Sequence, residues 1–207
     1  MAKLFEEEKL LIATSNPGKQ KEMKEYLKDI EVNLLFLSDF EQKVKEPVED
    51  SDTFFGNALI KAKYYHDIFG YPTLADDSGL CIDALNGLPG VYSARWGKPS
   101  HAIEKINAEL KENAIKEEMP KAKFVCALVL YWNNNYHEEY YGEVNGALDM
   151  EAKGDKGFGY DPIFIPKGHH LTFAQMDSKE KQNLSHRGKA FENLINSSFY
   201  KRRKNAY

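Results

Sequence analysis

The stretch Lys123–Trp132 reads K-F-V-C-A-L-V-L-Y-W, one charged residue followed by nine apolar ones with no polar alternation. A strand with apolar side chains on both faces must be covered from both sides, so this run predicts a central strand of a buried sheet. Helices must supply the cover. Met23, Tyr26, Leu27 and Ile30 recur at helical spacing after Asn16-Pro17-Gly18, with Asn16 able to cap and Pro17 suited to the first turn. Phe55, Ala58, Leu59, Ala62, Tyr65 and Phe69 form a second stripe, opened by Thr53 and stopped by Gly70. A polar-faced helix is expected over Pro99–Glu118, and Asp177 and Ser185 can cap two more.

Strands are expected at Lys9–Thr14, Val32–Leu37, Thr73–Ala75, Leu80–Ala84, Tyr136–Val144 and Ile163–Ile165. Between them fall an acidic loop (Glu41–Asp52), a turn-rich loop (Gly87–Trp96), the turn Asn133–Asn135 and a glycine-rich loop at Gly154, Gly157 and Gly159. Strands and helices mix along the whole chain, so the fold class is α/β with a mixed sheet. No composition break divides the 207 residues, which suits one domain.

Net charge is -4, which argues against a protein built to coat nucleic acid but leaves room for one nucleotide in a local site. Cys81 and Cys126 stand alone and make no zinc spacing or disulfide framework, favouring a cytoplasmic setting. No apolar run approaches the ~18 residues of a membrane span.

Four segments can carry chemistry. Thr14-Ser15-Asn16-Pro17-Gly18-Lys19 joins a strand to a helix start, where outward N–H groups, hydroxyls and a lysine suit a phosphate. An ordinary capped helix is the alternative. Asp76-Asp77-Ser78-Gly79 puts adjacent carboxylates after an apolar strand; all-oxygen ligands suit Mg²⁺, and an acidic turn is the alternative. Glu46, Glu49, Asp50 and Asp52 lie upstream and could add a ligand. Gly157-Phe158-Gly159-Tyr160-Asp161-Pro162 could offer a ring face to a flat base, or simply pack a turn. Lys181 and Ser185-His186-Arg187-Gly188-Lys189 gather donors for carbonyl or phosphate oxygens, unless they form a solvated basic face.

The order of these motifs is more specific than any one of them. T-S-N-P-G-K, A-D-D-S-G-L, P-G-V-Y-S-A-R, G-F-G-Y-D-P and S-H-R-G-K-A, spread over roughly residues 9–200, resemble the inosine triphosphate pyrophosphatase family. The resemblance implies a two-lobed fold around a long bent mixed sheet, with the active site in the cleft between lobes, and a homodimer. It implies Mg²⁺-dependent hydrolysis of ITP, dITP and XTP to the monophosphate and pyrophosphate. By motif, Thr14, Ser15, Asn16, Pro17, Gly18 and Lys19 would hold the triphosphate. Asp77 would be the catalytic carboxylate and a metal ligand, and Ser78 would touch substrate. Phe158, Gly159, Tyr160 and Asp161 would hold base and sugar, and Lys181, His186 and Arg187 would read the base edge. Glu49 would be the second Mg²⁺ ligand, with Glu46 still open. Gly56 departs from the family, whose members often carry an acid there. Two rival readings stay open: a pyrophosphatase for modified pyrimidine nucleotides, and a nucleotide-binding regulator without catalysis.

Overall fold

The computed structural model describes residues 3–97, 99–133 and 136–202. Strands β1 (Lys9–Ile12), β2 (Asn33–Phe36), β3 (Thr73–Ile82), β4 (Lys121–Asn133), β5 (Tyr136–Leu148) and β6 (Phe164–Pro166) form one sheet in the order β2-β1-β3-β4-β5-β6. β1 runs parallel to both β2 and β3, and β6 is antiparallel to β5, so the sheet is mixed. The helices are α1 (Pro17–Tyr26), α2 (Phe54–Phe69), α3 (Pro99–Glu112), α4 (Ser178–Leu184) and α5 (His186–Ser197). The double-sided apolar run is β4, buried at every position from Phe124 to Trp132.

The chain forms two compact units. The first comprises Met1–Asp77, Ala127–Tyr141 and Ala190–Tyr207; the second comprises Ser78–Cys126 and Gly142–Lys189. Each has its own core. In the first, Ala58, Ala62 and Tyr65 of α2 pack on Leu11, Ala13, Ala75, Val129 and Tyr131. Alanines one turn apart let the helix approach the strands closely, which later matters for its polar side chains. In the second, Ala102, Ile106 and Leu110 of α3 join Leu80, Ile82, Phe124, Phe164 and Phe173.

The helix signals act as their chemistry dictates. Asn16 Oδ1 accepts from the Gly18 and Lys19 N–H groups, and Thr53 Oγ1 accepts from Gly56 N–H. Gly70 closes α2 in the left-handed region at φ 73°, where a side chain would be strained. Asp177 caps α4 through Lys179 and Glu180, and Ser185 Oγ accepts from Gly188 N–H at the start of α5.

Several expectations are corrected. Asp76-Asp77-Ser78-Gly79 is no turn: β3 runs unbroken through it, joining the two short strands expected there. Lysines and an amide compensate the acids, so the backbone need not leave the sheet. α3 ends at Glu112 rather than Glu118, followed by Ala114 at φ 54°. β5 continues past Val144 to Leu148, paired with β6. The Asn133–Asn135 turn lies partly outside the described residues, as do Arg203 and Lys204 of the basic tail. Arg202 of that tail donates to the carbonyls of Glu31 and Glu6.

Candidate active site

In the first unit, charge gathers where β3 passes under α2. Asp76 is fully buried and pairs with Lys19 Nζ at 2.9 Å. Its neighbour Asp77 is 8 % exposed; Asn57 Nδ2 donates to its Oδ2 at 3.2 Å, and Lys61 Nζ lies 4.0 Å from its Oδ1. The same Lys61 ammonium donates to Glu49 Oε2 at 2.8 Å. A strand alternates its side chains, so Asp76 and Asp77 leave opposite faces. The nearest cation is Lys19 for Asp76 and Lys61 for Asp77, and each lysine also feels the other carboxylate.

These charges tune one another. Burial pushes the Asp77 carboxyl above the ordinary carboxylate range; Lys61, Lys19 and the Asn57 amide pull it down, and Glu49 adds a small upward push. Burial works against the Lys61 charge, but Asp76, Asp77 and Glu49 outweigh it and hold the ammonium above its usual range.

The carboxylate pair fits a divalent cation. Asp77 and Glu49 converge from two chain segments on one positive charge, the Lys61 ammonium. Mg²⁺ takes one or two carboxylates and completes its shell with substrate phosphates and water. Glu46 goes elsewhere: its carboxylate accepts from the Ser15 hydroxyl, linking the acidic loop to the T-S-N-P-G-K segment. Within that segment Ser15, Asn16 and Pro17 are exposed and Thr14 is buried. Because Asn16 occupies two of the helix-start N–H groups, the positive charge of the segment is carried by Lys19.

In the second unit, donors gather around Phe158. Lys181 Nζ lies 5.1 Å and the Arg187 guanidinium 5.7 Å from its ring centroid. Both cations are buried and both are fastened. Lys181 pairs with Asp161 at 2.8 Å, and Arg187 donates to Ser78 Oγ at 2.9 Å. Asp161 Oδ2 also accepts from Phe158 N–H at 2.7 Å. Gly157 is required here, because a Cβ would stand 2.1 Å from that oxygen and its φ is 74°. His186 lies flat against Phe124, centroids 4.7 Å apart with 14° between planes.

The sequence motifs therefore sort into two sets. Thr14–Lys19, Asp77 and Glu49 fall in the first unit; Ser78, Phe158–Asp161, Lys181, His186 and Arg187 fall in the second. Tyr160 packs its ring in the second core, and its hydroxyl donates to the Ser93 carbonyl. Burial pushes its phenol up to about 12. Asp161 likewise turns its carboxylate to Lys181 and the Phe158 N–H.

Two residues were not singled out by sequence reasoning: Asn57 and Lys61, one turn apart on α2. Their signal is a polar pair at i,i+4 bordering the alanine stripe of Ala58 and Ala62. Gly56 also finds its reason. A Cβ there would stand 2.0 Å from Ser51 Oγ, so in this chain a serine occupies the space that an acidic side chain would need.

Residues 10–197 match the Ham1 family. The chain is 42% identical over 191 residues to a dITP/XTP pyrophosphatase of Zymomonas mobilis, covering 90% of each chain. It is 45% identical over 189 residues to a dITP/XTP pyrophosphatase of Thermus thermophilus, again covering 90% of each. Among solved structures it resembles a HAM1 protein from Coxiella burnetii, with TM-score 0.82 and 36% identity over 91% of this chain and 96% of that one.

Proposed function

The chain belongs to the Ham1 family, and from that premise and the two residue sets we propose that it hydrolyses dITP, ITP and XTP to the nucleoside monophosphate and pyrophosphate. The observation that carries the reading is the buried Asp77, bracketed by Lys61 and Asn57 and facing Glu49 across the ammonium. A site that only held an anion would gain nothing from carboxylates there.

Lys19 and Lys61 meet the negative charge of the triphosphate, which a protein of net charge -4 must do locally. Asp77 and Glu49 would hold Mg²⁺, which when bound would supply neutralisation of phosphate charge and acidification of water. Asp77 takes the proton of the attacking water; burial, which raises its affinity for a proton, suits that role. The water oxygen bonds to phosphorus of the α–β anhydride. The anhydride P–O bond breaks, and its electron pair leaves on the bridging oxygen. Asn57 keeps Asp77 Oδ2 engaged, so Oδ1 is the oxygen on the Lys61 side.

The second unit reads the base. Lys181 and Arg187 are donors only, and a 6-oxo purine presents an acceptor where adenine presents an amino group. Asp161 and Ser78 hold these donors in place, and Phe158 lies beneath both. Sites that depend on buried hydrogen bonds reject a mismatched partner by ~10⁴. We further propose that the protein acts as a homodimer in the cytoplasm; no helix among the described residues is long and apolar enough to cross a membrane. The test is pyrophosphate release with Mg²⁺ from ITP, dITP and XTP against ATP, GTP and dTTP. Turnover of dTTP comparable to that of ITP would favour a pyrimidine enzyme and overturn the base reading.

A further inference from the structure

Asn57 is 1 % exposed, and both ends of its side chain are engaged. Nδ2 donates to Asp77 Oδ2 at 3.2 Å, and Oδ1 accepts from the Ser51 backbone N–H at 2.9 Å. A primary amide can donate to a carboxylate and accept from a backbone N–H at once; an ionised aspartate has the shape but lacks the donor. Ser51 closes the acidic loop two positions after Glu49, whose carboxylate reaches Lys61. The interlock is tight, since Ser51 Oγ fills the space where a Cβ on Gly56 would stand and also meets Thr53 Oγ1 at 3.2 Å.

We propose that Asn57 is a positioning residue: it fixes the Asp77 carboxylate and the Ser51 end of the acidic loop to one another, and so sets the separation at which Asp77 and Glu49 accept a divalent cation. The proposal rests on the function proposed above, because it assigns those two carboxylates to the ion. Asn57 touches neither nucleotide nor ion in this account and acts through Asp77 and Glu49.

Hydrogen exchange of the wild-type protein tests the tether without metal or substrate. The Ser51 amide lies outside any helix or strand. It should nevertheless exchange at least tenfold more slowly than the amides of Asp50 and Asp52, since opening must break its partly buried bond to Asn57. Exchange at the rate of its neighbours overturns the proposal. Asn57→Asp keeps the acceptor for Ser51 but sets a carboxylate against Asp77. It should retain Ser51 protection, lower kcat by ~10² and raise the Mg²⁺ concentration for half-activity about tenfold, as a displacement of order 1 Å does. KM for ITP at saturating Mg²⁺ should change less than threefold. Asn57→Ala should lose Ser51 protection as well. Both variants are compared at a temperature where their circular dichroism matches wild type, and the wild-type exchange pattern decides the matter if neither folds. A wild-type protein that releases no pyrophosphate refutes the proposed function but leaves the Ser51 result standing. An active wild type whose Asn57→Asp variant keeps kcat and Mg²⁺ dependence refutes the positioning role.

Discussion

Replacing Lys61 by methionine keeps most of the unbranched side chain, one atom shorter, and removes its charge. The ammonium lies 2.8 Å from Glu49 Oε2 and 4.0 Å from Asp77 Oδ1. At an effective dielectric of ~20 those distances correspond to attractions of about 6 and about 4 kcal/mol. Desolvation of the ammonium and of Asp77 offsets most of that sum. What remains on breaking a buried pair from one side is about 3–5 kcal/mol. The low end applies here, because the Glu49 side chain is 31% exposed and water can replace its partner. For a chain of this size each kcal/mol moves Tm by about 2–4 °C, so Lys61→Met should melt about 6–12 °C below wild type.

The deficit has a definite pH dependence. Burial already raises the Asp77 carboxyl above its usual range, and loss of Lys61 removes the first of the charges that hold it down. In the variant the folded state therefore binds a proton more tightly than the unfolded state. Stability falls as pH rises through the folded pKa of Asp77 and recovers below it. The gap in Tm between wild type and Lys61→Met should thus be full above the raised folded pKa of Asp77 and narrow as pH falls through it toward the ordinary carboxylate range. Mg²⁺ should stabilise the variant more than wild type, because the ion replaces the missing charge between the same carboxylates. Scanning calorimetry across that pH range, with and without Mg²⁺, reads both effects. A gap under about 1 kcal/mol, or one that does not change with pH, would refute the electrostatic account of this cluster.

Other outcomes follow from the same contacts. Asp77→Asn, close in shape, should lower kcat by ~10² or more with Tm near wild type; near-normal turnover removes Asp77 from the chemistry. Lys181→Ala should raise KM for ITP about tenfold or more with little effect on weak ATP turnover, as loss of a charged hydrogen bond implies. Asp161→Asn, which loosens Lys181, should act in the same direction, and steady-state kinetics on both nucleotides check the pair. Gly56→Ala should lose about 1–3 kcal/mol through overpacking against Ser51. Adding Ser51→Gly should return part of that loss, a coupling that urea denaturation of the four-member cycle measures. Tyr160→Phe should cost about 1 kcal/mol of stability through the lost bond to the Ser93 carbonyl. It should leave kcat unchanged, since the ring is a core residue.

The sequence made the local signals legible. Asn16, Pro17, Thr53, Gly70 and Asp177 stop and start helices where their own chemistry requires it. The double-sided run of β4 required a sheet covered on both faces, and the five motifs in order pointed to the family. What escaped were features set by distant partners. Two adjacent aspartates left an acidic turn open as an alternative to a Mg²⁺ site, because nothing near them in sequence neutralises them. Lys19 and Lys61, brought in by α1 and α2, make an unbroken strand tolerable. Asn57 and Lys61 were hidden in a helix judged by its apolar stripe, and only the closeness of α2 to β3 gives them meaning. The packing of Tyr160 was hidden for a related reason: its neighbours Gly159 and Asp161 mark a loop, and the partners of its ring, Phe164 and Phe173, come from elsewhere in the second core.

The most direct measurement is the identity and rate of products from a panel of triphosphates with Mg²⁺. The account requires IMP, dIMP or XMP together with pyrophosphate, and turnover of ATP lower by ~10³ or more because adenine offers no acceptor at position 6. Release of inorganic phosphate with a diphosphate product, or equal turnover of ATP and ITP, would contradict it.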